Sequence, residues 1–176
     1  MDAWIPNALR AALEHHQAGR LPQAEAIYRQ ILELAPEHPD ALHLLGMLAA
    51  QIGNNEIAAE LISKAISVNP SSARYCDLGA ALRNQGRLDA AVESYHKALA
   101  IRPDYAEVHY NLGLALQQQG KLDAALESYQ KALAIKPDYA EAHNNLGIAL
   151  HQQGRLDAAV ESYRKALAIK SGFAEA

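Results

Sequence analysis

The sequence predicts an all-α protein, a solenoid of five helix-turn-helix units. Three observations predict it: a period of 34 residues, two apolar faces at helical spacing within each period, and glycine and proline at fixed places between them. The segment GRLDAAVESYHKALAIRP at 86–103 returns as GKLDAALESYQKALAIKP at 120–137 and as GRLDAAVESYRKALAIKS at 154–171. Fainter copies stand upstream, GRLPQAEAIYRQILELAP at 19–36 and GNNEIAAELISKAISVNP at 53–70. One residue is missing between the second and third copies, within NPSSARY, where a surface loop absorbs the loss. The expected arrangement is a single array over 1–176, with units at 5–38, 39–71, 72–105, 106–139 and 140–173. Residues 174–176 are expected to start a truncated sixth unit.

Each unit reads as two helices, and the fourth shows why. Val108, Leu112, Ala115 and Leu116 mark the apolar face of a first helix, and Leu122, Ala125, Leu126, Tyr129, Ala132 and Leu133 that of a second. Gly120 ends the first helix in the left-handed conformation that a side chain would penalise, and Pro137 follows the second, which it cannot continue. Asp123 lies in the first turn of the second helix, where a carboxylate complements the free amides. Glu127 and Lys131 are one turn apart, as are Glu93 and Lys97 and also Glu161 and Lys165, so weak ion pairs are expected on a solvated face.

Gly46, Gly79, Gly113 and Gly147 recur inside first helices. A glycine there costs about 1 kcal/mol against alanine, so close approach of a neighbour is expected to compensate. Ala91, Ala125 and Ala159, with Ala98, Ala132 and Ala166, supply small residues on the second helices. Tyr28, Tyr95, Tyr129 and Tyr163 occupy one repeated place and are expected to pack between neighbouring units. The first unit has Ala12 where later units have glycine and Ile31 where they have alanine, so looser packing is expected there.

The formal charge is −4 and the basic residues are dispersed, which removes the electrostatic footprint of a nucleic-acid or anionic-membrane binder. No stretch reaches membrane-spanning length, and the opening MDAWIPNALRAAL reads as a helix instead of a secretory leader. The single cysteine, Cys76, fits a reducing compartment, so cytoplasmic is the default expectation.

Leu-Gly in the first helix, glycine at the turn, Ala, Tyr and Ala down the second helix and proline at the exit form a pattern that resembles the tetratricopeptide repeat, over residues 5–173. The resemblance implies a right-handed superhelix of antiparallel helix pairs, whose first helices line a concave groove that binds peptides or protein segments. The RNA-reading relatives of this fold match less well, because the balance of charge is acidic.

Function is therefore sought on the stripe of the first helices beside the buried one. In the fourth unit this stripe carries Glu107, Tyr110, Asn111, Leu114, Gln117 and Gln118. Its counterparts include Met47, Asp77, Asn144, Asn145, Ile148 and Gln152. Asn111 and Asn145 are equivalent residues one unit apart, with Asp77 in the same place upstream. An amide offers a donor and an acceptor together, which match a peptide backbone whatever its sequence. These two residues resemble rungs of the asparagine ladder in O-linked N-acetylglucosamine transferase-like proteins; the ordinary reading is a pair of solvated surface amides. Tyr110, Leu114, Ile148 and Met47 add apolar surface for the side chains of an extended segment.

Catalytic readings find little. His109 and His143 fall on the buried stripe, where packing explains them, and no cysteine or carboxylate completes a metal set. Cys76 lacks a histidine placed to activate it. No catalytic residue, cofactor or metal is expected. The expected function is a scaffold that binds a protein or peptide partner, with neither nucleic acid nor membrane. The alternatives are the recognition region of a larger glycosyltransferase-like enzyme, and self-association through the exposed edge of the terminal unit.

Overall fold

The computed structural model describes residues 4–174, with side chains through 171. Among the described residues there are ten helices and no strand: α1 (Trp4–Gln17), α2 (Leu21–Leu34), α3 (Pro39–Gln51), α4 (Asn55–Val68), α5 (Ser72–Asn84), α6 (Leu88–Ile101), α7 (Ala106–Gln118), α8 (Leu122–Ile135), α9 (Ala140–Gln152) and α10 (Leu156–Ala174). They fall into two compact units, Met1–Arg87 with α1–α5 and Leu88–Ala176 with α6–α10. The expected third repeat thus contributes α5 to one unit and α6 to the other.

Each first helix stops at a glycine with positive φ, such as Gly120 at 75°. There the amide of Lys121 donates to the carbonyl of Leu116 at 2.9 Å, and that of Gly120 donates to Gln117 at 2.9 Å. These bonds satisfy carbonyls that the helix end would otherwise orphan, as the sequence led us to expect.

In the first unit every helix packs against the next, and α3 also touches both α1 and α5, whereas α2 and α4 do not meet. The second unit repeats the rule: α7 touches α9, but α6 does not meet α8, nor α8 α10. The first-helix side is therefore the tighter wall of each unit. Behind it runs the core. In the first unit Ala12, Ala24, Tyr28, Leu45 and Leu48 form one buried cluster. Ala12 and Ile31 are wholly buried, yet α1 and α2 meet over fewer residues than the helices of the second, fourth and fifth hairpins do, the looser packing expected of the first unit.

The recurrent tyrosines have a second contact besides the expected one. A methyl built on Gly113 would lie 2.5 Å from Cε1 of Tyr129, and one built on Gly147 would lie 2.6 Å from Cε1 of Tyr163. The ring therefore covers the glycine of its own hairpin, and Tyr28 at the same place also shares a buried cluster with Leu45 and Leu48 of the next hairpin, the packing between repeats that was expected. The missing Cβ makes room for an aromatic face, which explains why the propensity cost is tolerated.

Two expectations change. Helix α10 has 19 residues where α8 has 14, because Ser171 stands where α8 is followed by Pro137 and nothing breaks the ladder. The second helix thus runs on through Ala174; the start of a sixth unit expected at 174–176 falls largely on residues 175 and 176, outside the described residues. Ion pairs join Glu25 to Arg29, Glu60 to Lys64, Glu93 to Lys97 and Glu161 to Lys165. Glu127 and Lys131, at the same spacing, are not joined in this way. The first-turn carboxylates do more than face a dipole: Asp89 accepts from Gln119 Nε2 at 2.8 Å and Asp123 from Gln153 Nε2 at 2.6 Å, each tying one hairpin to the next.

The missing residue before α5 is compensated by Arg74. This side chain is buried where the fourth and fifth units carry Val108 and Ala142. Its guanidinium donates to the carbonyl of Asn69 at 2.6 Å and to Asp40 Oδ1 at 2.5 Å, so a charge placed in the core is both paired and used to close a shortened loop.

Candidate functional site

The wall formed by the first helices is laced by side-chain bonds between successive hairpins. In the first unit His16 Nε2 meets Gln51 Oε1 at 2.8 Å and His43 Nε2 meets Asp77 Oδ2 at 2.7 Å. In the second, Gln117 Nε2 donates to Gln152 Oε1 at 2.8 Å and Asn145 Nδ2 donates to the Tyr110 hydroxyl at 2.8 Å. The partners are 34 or 35 residues apart, so each bond joins one column of the repeat to the adjacent column one repeat later.

One set of these bonds reaches the core. Tyr129 donates its hydroxyl to Gln117 Oε1 at 2.7 Å, and Gln117 then donates to Gln152. The first unit has the same relay in weaker form, with the Tyr28 hydroxyl 3.5 Å from His16 Nδ1 and His16 bonded to Gln51. The ring of Tyr28 meets that of His16 edge-on, and burial pushes its hydroxyl pKa up. A buried aromatic thereby finds its polar partner at the wall, as buried tyrosines generally must.

The sequence-predicted residues can be placed on this frame. Asn111 and Asn145 are half-buried on the wall, and Asn144 and Gln118 are exposed. Asn145 is held by Tyr110, whose ring lies 4.9 Å from that of Tyr139 and 6.0 Å from that of Tyr129. The bond occupies one amide hydrogen; the other hydrogen and Oδ1 of Asn145 remain available on the wall. Leu114 and Ile148 are half-buried, Met47 is exposed, and Gln152 is the acceptor end of the relay. Asp77 belongs to the first unit and gives one carboxylate oxygen to His43. Cys76 is buried.

Three residues that helical phase places on the same stripe, though not among the expected contact residues, also take part. His16, His43 and Gln117 are rungs, and their signal was present as polar residues at equivalent places one period apart. His109 and His143 are half-buried instead of wholly packed. Their Nε2 atoms reach the carbonyls of Pro103 and Pro137, at 2.8 and 3.0 Å, and pin the turn that enters each first helix. Among the described residues no group of three His, Cys, Asp or Glu side chains is placed to hold a metal ion, and no helix is long and apolar enough to cross a membrane.

Repeated helical hairpins with a polar-laced first-helix wall define an α-helical repeat protein. Models of the tetratricopeptide repeat match at residues 15–82 and 140–173, and a TPR repeat model matches at 79–120 and 118–154. The chain belongs to the tetratricopeptide repeat family. Among solved structures it is similar to MamA, with a TM-score of 0.85 and 29% identity, covering 94% of this chain and 97% of that one. YrrB, a TPR protein with an unusual peptide-binding site, superposes with a TM-score of 0.76 at 22% identity, over 93% of this chain and 85% of that one. Among curated relatives, the peroxisomal targeting signal receptor of Kluyveromyces lactis is 28% identical over 117 residues, 63% of this chain and 21% of the receptor. The probable UDP-N-acetylglucosamine–peptide N-acetylglucosaminyltransferase SPINDLY of Solanum lycopersicum is 36% identical over 85 residues, 47% of this chain and 9% of that protein. The chain spans about a fifth or less of the length of these curated relatives.

Proposed function

We propose that the chain is a protein-interaction module, without catalysis of its own, whose first-helix wall holds an extended segment of a partner protein. The observation that carries this reading is the Asn145–Tyr110 pair. A surface amide ordinarily loses side-chain entropy when it binds. Asn145 is already oriented by the tyrosine hydroxyl, with an acceptor and a donor left for a peptide unit beside apolar Leu114 and Ile148. Asn111, Asn144 and Gln118 extend the polar surface of this unit, and on the wall of the first unit the accepting carboxylate of Asp77 and the exposed Met47 offer the same two kinds of contact. Membership of the tetratricopeptide repeat family and the likeness to a peroxisomal targeting signal receptor support the same reading. Nucleic acid and membrane are not its partners in this reading, and its compartment is the cytoplasm.

The test is selection from a displayed library of random peptides on the immobilised chain, followed by affinity measurement on Asn145→Ala and Asn111→Ala. Selected peptides should bind at about micromolar Kd and lose about fivefold to tenfold in affinity with each substitution, about 1 kcal/mol per lost amide bond. Recovery of no binding peptide, or of peptides indifferent to both substitutions, refutes the reading.

A second reading, self-association, is supported by α10. Leu156, Val160 and Leu167 are 57%, 46% and 68% exposed, whereas their equivalents on α8, Leu122, Leu126 and Leu133, are half-buried or buried beside α9. A second copy laid on α10 would cover that stripe. Sedimentation velocity across a hundredfold range of concentration tests it, and a strictly monomeric chain rules it out.

A further inference from the structure

The five repeats serve as controls for one another, and at one place three residues, from the second and third repeats, change size together. Where Tyr28, Tyr95, Tyr129 and Tyr163 stand, the second repeat has Ile62. Where His16, Arg83, Gln117 and His151 stand, it has Ala50. Where Leu13, Met47, Leu114 and Ile148 stand, the third repeat has Ala80. All three truncations lie within the first unit, and they line one pocket of about 130 Å³ together with Met47, Asp77 and Asn84. The polar relay seen elsewhere is replaced there by a hole: Ile62 has no hydroxyl to donate, and Ala50 has no amide to receive it. Asn84, lacking the partner that Gln51 and Gln152 find, turns to Asn55 Oδ1 at 3.4 Å.

Ile62 still serves its own hairpin, since a methyl on Gly46 would lie 2.7 Å from its Cγ1. The smaller residue thus fills the seam against Gly46 and leaves empty only the space on the wall side. Met47 sits beside that space, exposed and unbranched, the side-chain type that adapts to a bound group.

We propose that this pocket is a specificity site on the wall of the first unit: it takes one leucine-sized aliphatic side chain of a bound segment, with a basic residue next to it. The inference rests on the peptide-binding reading above and assigns the anchor residue which that reading leaves open. The volume is close to the roughly 150 Å³ of an apolar cavity that accepts benzene, so a branched four-carbon side chain fits and an indole does not. Ala50, Ile62 and Ala80 supply an apolar floor. The mouth is rich in acceptors: Asp77 gives Oδ2 to His43 and keeps Oδ1 of its carboxylate, and Asn84 spends one amide hydrogen on Asn55 and keeps its carbonyl oxygen beside the other hydrogen. Acceptors around an apolar hole favour backbone N–H groups and a neighbouring Lys or Arg, and disfavour an acidic neighbour.

The test uses defined probes on the whole chain: acetyl-Leu-Lys-amide, acetyl-Ala-Lys-amide and acetyl-Leu-Glu-amide, titrated to millimolar concentration. The methyl NMR signals of Met47, Ala50, Ile62 and Ala80 are followed. The Leu-Lys probe should give saturable shifts at these methyls, the Leu-Glu probe should bind several-fold more weakly, and the Ala-Lys probe should give no saturation. Ala80→Leu and Ala50→Gln, which restore the residues of the other repeats, should each abolish the shifts while keeping the far-UV dichroism of the parent. Equal responses to the leucine and alanine probes overturn the proposal whether or not the variants fold, as does a Leu-Lys response that survives filling. Library peptides that bind through Asn145 but show no aliphatic consensus and ignore Ala80→Leu would overturn the pocket alone and leave the general reading intact.

Discussion

Replacing Gly113 by alanine sets two effects of known size against each other. Helix propensity alone favours the substitution by about 1 kcal/mol. The new methyl, however, would lie 2.5, 2.7 and 3.0 Å from Cε1, Cδ1 and Cζ of Tyr129, a wholly buried ring whose hydroxyl is fixed to Gln117 at 2.7 Å. The ring cannot retreat without stretching that bond. Overpacking costs about 1–3 kcal/mol and a lost hydrogen bond about 1 kcal/mol, so the net expectation is a destabilisation of about 1–3 kcal/mol. Urea denaturation followed by circular dichroism measures it. The double variant Gly113→Ala/Tyr129→Leu separates the causes, because a shorter side chain removes the clash. The two changes should couple by more than 1 kcal/mol, with alanine costing less, or even stabilising, in the leucine background. If Gly113→Ala alone stabilises by its propensity value, the ring-over-glycine account is wrong.

Other outcomes follow from the same geometry. Asn145→Ala should lower stability by about 0.5–1.5 kcal/mol, because the Tyr110 bond makes this amide a structural rung as well as a contact residue; a thermal melt identical to the parent's would refute that double role. Asp40→Ala should destabilise by about 1–3 kcal/mol, since it leaves the buried Arg74 charge without its carboxylate. Arg74→Met should cost less, because it removes the charge together with the need for a partner. The lysines one turn away hold the carboxyls of Glu60, Glu93 and Glu161 below their ordinary value, through hydrogen bonding first and charge second. Their folded pKa values are depressed, so the small stabilisation is complete above the ordinary value of 4.5 and disappears as pH falls through the folded values. A chain with all three changed to Gln should show a flatter acid limb in its stability curve, and high salt should erase the difference. Ser171→Pro should end α10 about where Pro137 lets α8 end, read as loss of helical Cα shifts at 171–174.

The hairpins were legible because their causes are local. A glycine at Gly120 and an apolar face such as Leu122, Leu126 and Leu133 act within one or two turns of the residues that encode them. The wall position of Asn111 and Asn145 was legible for the same reason, since helical phase alone separates the stripe of Leu112 and Leu116 from that of Tyr110 and Leu114. The rungs were not, because a bond such as Asn145 to Tyr110 depends on how one hairpin is set against the next, and the offset of 35 residues between partners is a fact of packing. Packing between repeats was read from the size of the tyrosines, but periodicity cannot say that the ring of Tyr129 also fills the space left by the missing side chain of Gly113. The pocket at Ala50 and Ala80 needed all three departures to be seen converging, and nothing in the chain order of residues 50, 62 and 80 brings them together. The extension of α10 was within reach of the sequence: Ser171 in place of proline removes the stop.

Because each rung takes its two halves from successive repeats, the order of the repeats is itself information. Setting residues 106–139 directly after 39–71 would oppose His43 to Asn111 in place of Asp77 and so trade a carboxylate for an amide in the middle of the wall. Deleting one internal hairpin therefore replaces two junctions with a single new one, duplicating a hairpin adds a junction not present before, and the wall behaves less like beads on a string than like a sentence whose words agree with their neighbours.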